Sequence, residues 1–358
     1  MISKTEFDEI LAKITEHNVR DIMFLSGKSP KYFIGNKIAE HKLEKALTDE
    51  DIIEIANILL IKKDVDLETF CSVDVAYQTH VARFRANICK AIGSIRIVMR
   101  VIPNEVRVIK ELNLPEQIRK ITKLKSGLVL IGGGTRQGKS TTIAAILEEI
   151  NLTRSTHIIT LENPIEHIYE PKLSIISQCE VDDDIKDYKS ALRAVLRQSC
   201  DIVMVGEIQD AETFEAALTA AETGHLVISS FSAGSIQSIL NKILIYYPYE
   251  QRQMLFNRLA RTLKYIFVQE MLPVINADNE NFFVPRFEIF DMQSLVKIVK
   301  KEFLAKAFDD IYDYAKENCL FLALKPFDLY TKLLYKKGLI DLDTLKSNTS
   351  NSRRLLPV

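Results

Sequence analysis

Short, wholly apolar runs alternate with helical spacing through the middle of the chain. The runs 128–131, 157–161, 201–205 and 226–230 have the length and composition of strands buried on both faces. Between them the apolar positions recur with helical spacing, as in Ile143-Ala144-Ala145-Ile146-Leu147. From about 120 to 270 this alternation predicts a mostly parallel sheet covered by helices on both faces. The first hundred residues differ. Helical spacing at Ile10, Leu11 and Ile14, and again from Ile52 to Leu60, is mixed with strand-like alternation at Val73 to Tyr77 and Val81 to Ile88. That mixture predicts a separate α+β unit. Pro103 and Pro115 punctuate a polar connector around Asn104 to Asn113, and beyond Pro273 a Phe-, Tyr- and Lys-rich tail keeps helical spacing. The expected division is 1–102, a linker 103–119, an α/β domain 120–272 and a helical extension 273–358 with its aromatics in a core.

The first of the four runs leads directly into Gly133-Gly134-Thr135-Arg136-Gln137-Gly138-Lys139-Ser140-Thr141, which fits G-x-x-x-x-G-K-[ST]. A strand before it and a helix after it are the context in which such a loop binds phosphate. Its glycines let backbone N–H groups point at phosphate oxygens, and the helix N-terminus adds partial positive charge. Lys139 is positioned for the β- and γ-phosphates, and the Ser140 hydroxyl for Mg²⁺. ATP with Mg²⁺ is the expected ligand.

Composition narrows the class. A formal net charge of -1 over 358 residues argues against bulk attraction for nucleic acid, so no direct nucleic-acid partner is expected. No apolar run approaches the ~18 residues that span a bilayer, and the first residues do not read as a signal peptide. The five cysteines, Cys71, Cys89, Cys179, Cys200 and Cys319, lack C-x-x-C spacing, which suits idle thiols in a reducing cytoplasm.

A phosphate loop alone does not separate a kinase from a motor, so the ends of the other strands carry the distinction. The run 157–161 ends in Glu162, at the edge of the sheet where ligands of such folds bind, placed to orient or deprotonate a water. The run 201–205 ends in Gly206-Glu207, as expected of a strand that holds hydrated Mg²⁺. Asp201 begins that strand and therefore lies at the far edge. His225 starts the next strand after Gly224 and is a candidate sensor of phosphate or conformation, or else a core histidine.

Thr219-Ala220-Ala221-Glu222-Thr223-Gly224-His225-Leu226-Val227 after Val205-Gly206-Glu207 resembles the PilT-type branch of the secretion-superfamily ATPases, ring motors of type IV pili and of type II and type IV secretion that include DotB-like enzymes. Leu161 to Glu166 matches that family's acidic box, and Ala191 to Arg197 the helix before the Mg²⁺ strand. Ala82-Arg83-Phe84-Arg85 and Val98-Met99-Arg100 match its paired arginine strands. The resemblance implies a PAS-like N-terminal domain, a RecA-like domain and six copies to a ring. It also implies that Arg83, Arg85 and Arg100 reach the nucleotide phosphates as the N-terminal domain closes. An inner-membrane platform protein as partner follows, with a cytoplasmic location at the inner face of the bacterial inner membrane. Pilus retraction is the first reading. DotB-like secretion, a P-loop phosphotransferase, a nucleic-acid translocase and a regulatory subunit are the rivals. Three departures stand out. Gly134, Arg136 and Gln137 replace the family's Pro, Gly and Ser, and the Cβ of Arg136 is expected to shift the loop. Ser232 replaces a second histidine. Met292 to Lys297 only faintly follows the family's retraction motif.

Overall fold

The computed structural model describes residues 2–17, 19–34, 37–43, 45–61, 65–67, 69–91, 93–102, 106–181, 183–274, 283–298 and 324–349. Pro103 and Asn104 of the expected linker, and 275–282, 299–323 and 350–358 of the expected helical extension, lie outside them. The chain forms two compact units, Met1–Val106 with Pro164–Ile168, and Arg107–Asn163 with Tyr169–Val358.

The first unit is α+β, as expected. Helix α1 (Lys4–Thr15) begins at a capping box in which the Ser3 hydroxyl accepts from the Glu6 N–H and the Glu6 carboxylate accepts from the Ser3 N–H. Strands β1 (Asp21–Leu25), β2 (Lys31–Ile34) and β3 (Lys37–Glu40) precede α2 (Asp49–Leu59), which Thr48 and Asp51 cap in the same way. Then follow β4 (Ser72–Gln78), β5 (Arg83–Ala91) and β6 (Ser94–Ile102). The six strands form one antiparallel sheet in the order β3-β2-β1-β6-β5-β4. Strand alternation sends Phe84, Ala86 and Ile88 into a core with Phe7, Leu11, Ile52, Ile97 and Met99. The intervening Arg83 and Arg85 therefore stand on the opposite face, with Arg100 directly across from Arg85.

In the second unit the four anticipated strands appear as β7 (Gly127–Gly132), β8 (His157–Glu162), β10 (Ile202–Glu207) and β11 (Leu226–Phe231). Helix α3 (Glu116–Ile121) precedes β7 and straddles the end of the expected linker at residue 119. The 15-residue helix α4 (Lys139–Thr153) follows β7 and is buried on most sides. Strand β9 (Ile175–Glu180), helices α5 (Tyr188–Val195), α6 (Ala211–Glu222), α7 (Ile236–Ile245) and α8 (Arg252–Thr262), and strand β12 (Leu263–Pro273) complete the alternation. From β12 the sheet runs β12-β7-β11-β10-β8-β9, parallel throughout, with two further strands beyond β12. Leu128 and Leu130 of β7 join Leu161, Val205, Phe214 and Leu259 in one core beneath α5 to α8, while Val129 and Ile131 point the other way.

The segment after Pro273 departs from the helical expectation. Strand β13 (Phe283–Asp291) extends the sheet antiparallel to β12, and β14 (Leu324–Lys325) pairs antiparallel to β13. Val284, Phe287, Ile289 and Phe290 are buried, so the aromatic composition there belongs to a sheet as much as to helices. Among the described residues there, the helices are α9 (Met292–Ile298), α10 (Phe327–Lys336) and α11 (Leu342–Ser347).

Candidate nucleotide site

Parallel register brings four loops to one edge of the second unit. Gly132 pairs with Phe231, Ser230 with Glu207, and Leu161 with Val205. The carboxyl ends of β7, β11, β10 and β8 therefore line up. This is where open α/β sheets bind ligands. At about 4.8 Å per strand, Glu207 stands roughly 10 Å and Glu162 roughly 14 Å along the edge from the loop after β7.

That loop is shaped by close approach to β12. A Cβ on Gly133 would sit 2.6 Å from the Gln269 carbonyl oxygen, and one on Gly138 would sit 2.8 Å from Gln269 Nε2. Gly138 also takes φ 77° as the residue that caps α4, so only glycine fits there without strain. Lys139 Nζ donates to the carbonyl oxygens of Gly133 at 2.8 Å and Gly134 at 2.9 Å, curling over the loop. Ser140 is exposed on the first turn, while Thr142 is buried and donates to Gln269 Oε1 at 2.6 Å. A flexible cation, a helix N-terminus and glycines that leave no room for side chains fit a polyphosphate. The exposed Ser140 hydroxyl and the Glu207 carboxylate are oxygen groups of the kind that could hold Mg²⁺.

Arg136 corrects an expectation. It adopts φ 65°, in the left-handed region, so its Cβ has not driven the loop out of a glycine-type backbone. Such a residue carries roughly 1–2 kcal/mol of backbone strain.

Glu207 is half-buried and doubly held. Ser232 Oγ donates to Oε1, and Gln209 Nε2 donates to Oε2 at 2.9 Å. Burial pushes the carboxyl group up, but these two hydrogen bonds and the positive charge of Lys139 outweigh it and leave the group below its ordinary range. Glu162 is 7% exposed, with Thr160 Oγ1 donating to Oε1 at 2.7 Å and Gln178 Nε2 at 3.3 Å. Both carboxylates are thus oriented by neighbours on the same sheet. The roles of Ser232, Thr160, Gln178 and Gln269 escape the sequence reading. Thr160 carries a signal as a polar residue inside the apolar run 158–161, as does Gln269 directly after Ile266-Phe267-Val268.

His225 is not brought to this edge. It precedes Leu226, which pairs with Gly127 at the start of β7, so about 20 Å of strand separates it from the loop. Its Nδ1 lies 3.1 Å from the Ala220 carbonyl oxygen and 3.2 Å from Thr223 Oγ1, closing the turn after α6. Sequence adjacency to the Mg²⁺ strand concealed this, because consecutive parallel strands expose opposite ends to a crossover. His225→Ala is expected to leave ATP turnover within about twofold of wild type and to cost about 1 kcal/mol of stability from the lost turn bond. Turnover and thermal melting check both halves. Asp201 lies at the same far edge, as its place in the strand predicts, accepting from Thr156 Oγ1 at 2.7 Å and the His157 N–H at 2.9 Å.

Arg83, Arg85 and Arg100 share the outward face of the first unit's sheet. Arg83 Nε donates to the Ile165 carbonyl oxygen at 2.8 Å. Arg85 lies 3.5 Å from Glu166 and 3.7 Å from Asp74, and Arg100 pairs with Asp21 at 3.0 Å.

The family described as "Type II/IV secretion system protein" matches residues 71–310. The type IV pilus retraction ATPase PilT of Pseudomonas aeruginosa is 31% identical over 94% of this chain and 95% of its own length. A crystal structure of the pilus retraction motor PilT with bound ADP superposes with a TM-score of 0.84 at 32% identity, covering 97% of each chain. The ATPase DotB of Legionella pneumophila shares the fold, with a TM-score of 0.80 at 23% identity over 97% of this chain and 95% of its own.

Proposed function

The chain belongs to the type II/IV secretion system protein family, and from that membership we propose that it powers a type IV pilus machine by hydrolysing ATP, with pilus retraction as its work. It is an ATPase of that family. The observation that carries the reading is the convergence of Lys139, Ser140, Glu207 and Glu162 on one sheet edge. Lys139 neutralises the β- and γ-phosphates by exchanging its bonds to Gly133 and Gly134 for phosphate oxygens. The backbone from Gly133 to Thr141 wraps the phosphates. Ser140 and Glu207 would hold Mg²⁺, which would supply positive charge to offset that developing on the transferring phosphoryl group. Glu162 orients the attacking water and accepts its proton. No acceptor other than water is called for. ATP turnover in the absence of any added acceptor tests this: a protein that releases phosphate only when a small-molecule acceptor is supplied is a phosphotransferase and not a motor.

In this reading the arginines of the first unit complete the site. Arg83, Arg85 and Arg100 exchange their carbonyl and carboxylate partners for phosphate oxygens, for which the guanidinium fork is well suited. Each Arg→Ala change is then expected to lower turnover at least tenfold. It should cost no more than about 1 kcal/mol of stability, because Arg85 and Arg100 stand in partly exposed ion pairs and Arg83 holds a single backbone carbonyl oxygen. Turnover and melting temperature measured together decide, and normal turnover in all three variants would make the arginines structural. Six copies closing head to tail in a ring, docked on a platform protein at the inner membrane, give hydrolysis a mechanical output. Specific activity should rise with protein concentration as the ring assembles, and light scattering should report the same transition. Among the described residues no helix is long and apolar enough to cross a membrane.

A further inference from the structure

Strand β12 pairs with β7 only as far as Val268 opposite Gly132, then continues to Pro273. Beyond that point the β12 edge facing β7 has lost its neighbour, and the backbone groups there need other partners. The loop supplies them. Gln137 Oε1 accepts the Met271 N–H at 2.6 Å, taking the place of a strand carbonyl. On the first turn of α4, Thr142 Oγ1 donates to Gln269 Oε1. Gln269 itself is only 2% exposed, and its Nε2 fills the space against Gly138. The loop is thus pinned to β12 at two points, one immediately after Arg136 and one beyond Lys139.

We infer that Gln137 is a positioning residue: its carboxamide latches the phosphate loop to Met271 and so holds Arg136 in its left-handed backbone. The inference rests on the nucleotide reading of the loop. A strained residue persists only where its surroundings over-determine its conformation, and the bond from the very next side chain is that constraint. The two departures at 136 and 137 therefore form one device. An arginine at 136 needs a latch at 137, whereas a glycine at 136 would not. Preorganisation is what the latch contributes, since a loop already in its bound shape loses little freedom when nucleotide arrives. Gln137 acts through Met271 and does not itself need to touch a phosphate.

Gln137→Met keeps the bulk of the side chain and removes the acceptor. In the full chain it is expected to weaken ADP binding, measured by calorimetry, about tenfold, the most that one net hydrogen bond yields. KM for ATP should rise in parallel and kcat should fall by less. Adding Arg136→Gly to Gln137→Met should bring ADP affinity back to within about threefold of wild type, because glycine reaches positive φ without strain. Hydrogen exchange at the Met271 amide reads the latch without any nucleotide: protected in the wild type, fast in Gln137→Met. Wild-type affinity in Gln137→Met, failure of Arg136→Gly to rescue it, or an unprotected Met271 amide in the wild type would each overturn the latch. Lys139→Ala separates the two readings. If that variant still binds ADP normally, the nucleotide assignment of the loop is what has failed.

Discussion

Lys139→Ala is expected to abolish measurable ADP binding and to reduce ATP turnover by 10²- to 10³-fold or more, the cost of removing one preorganised charge-stabilising donor. Lys139 is the lysine of the G-x-x-x-x-G-K-S loop, and its ammonium already lies against the carbonyl oxygens of Gly133 and Gly134. A phosphate oxygen entering there meets the charge without any rebuilding of the chain. Arg136 is no substitute, since it lies exposed on the loop and its left-handed backbone fixes where its side chain departs. The bonds of Lys139 to Gly133 and Gly134 are partly or fully open to solvent, so its loss should move the melting temperature by only a few degrees. Calorimetric titration with ADP and steady-state phosphate release measure the two effects. A variant that hydrolyses ATP at the wild-type rate would remove the ATPase motor reading altogether.

The second large effect separates chemistry from binding. Glu162→Gln is nearly isosteric, and the amide oxygen still accepts from Thr160, so the fold around β8 should persist. What is lost is the proton acceptor, and kcat should fall about 10²-fold or more while ADP affinity stays near wild type. Glu207→Gln should also lower kcat, but its signature is a raised Mg²⁺ requirement, because the change removes a negative charge that Ser232 and Gln209 hold in place. Mg²⁺ titrations of turnover distinguish the two variants. If both turn over normally, the acids have been assigned to the wrong work.

Much of the second unit was legible because its strands are buried on both faces and read as unbroken apolar runs. Position within a strand was informative too: it set Glu207 on the ligand edge and Asp201 on the far one. The same rule, applied to His225, would have placed it beside Asp201, but its closeness in sequence to Glu207 obscured that. Strand β9 is half-exposed and polar, so it carries no apolar run to read. Strand β12 follows α8 without a break, and its apolar residues merge with the helical spacing before it. The holding of Glu207 by Ser232 and of the loop by Gln269 depends on which strands are neighbours, and strand order is not written in local pattern. Arg136 was read as a disturbance of the loop because the bond that stabilises it comes from β12.

The bond between Gln137 and Met271 joins residues 134 positions apart. During synthesis at about 5–20 residues per second, the loop leaves the ribosome roughly 7 to 27 s before β12 can pair with it. Throughout that interval the loop and helix α4 exist without the strand that shapes them. The nascent chain thus emerges with an unfinished phosphate cradle, and ATP, abundant in any cell, has nothing preorganised to hold. A ribosome-stalled chain ending before Leu263 should show no protection from proteolysis on adding ADP, while one extending well past Asp291 should. Nucleotide binding is in this sense a late event in the life of each molecule, available only once its sheet has closed over the loop from the C-terminal side.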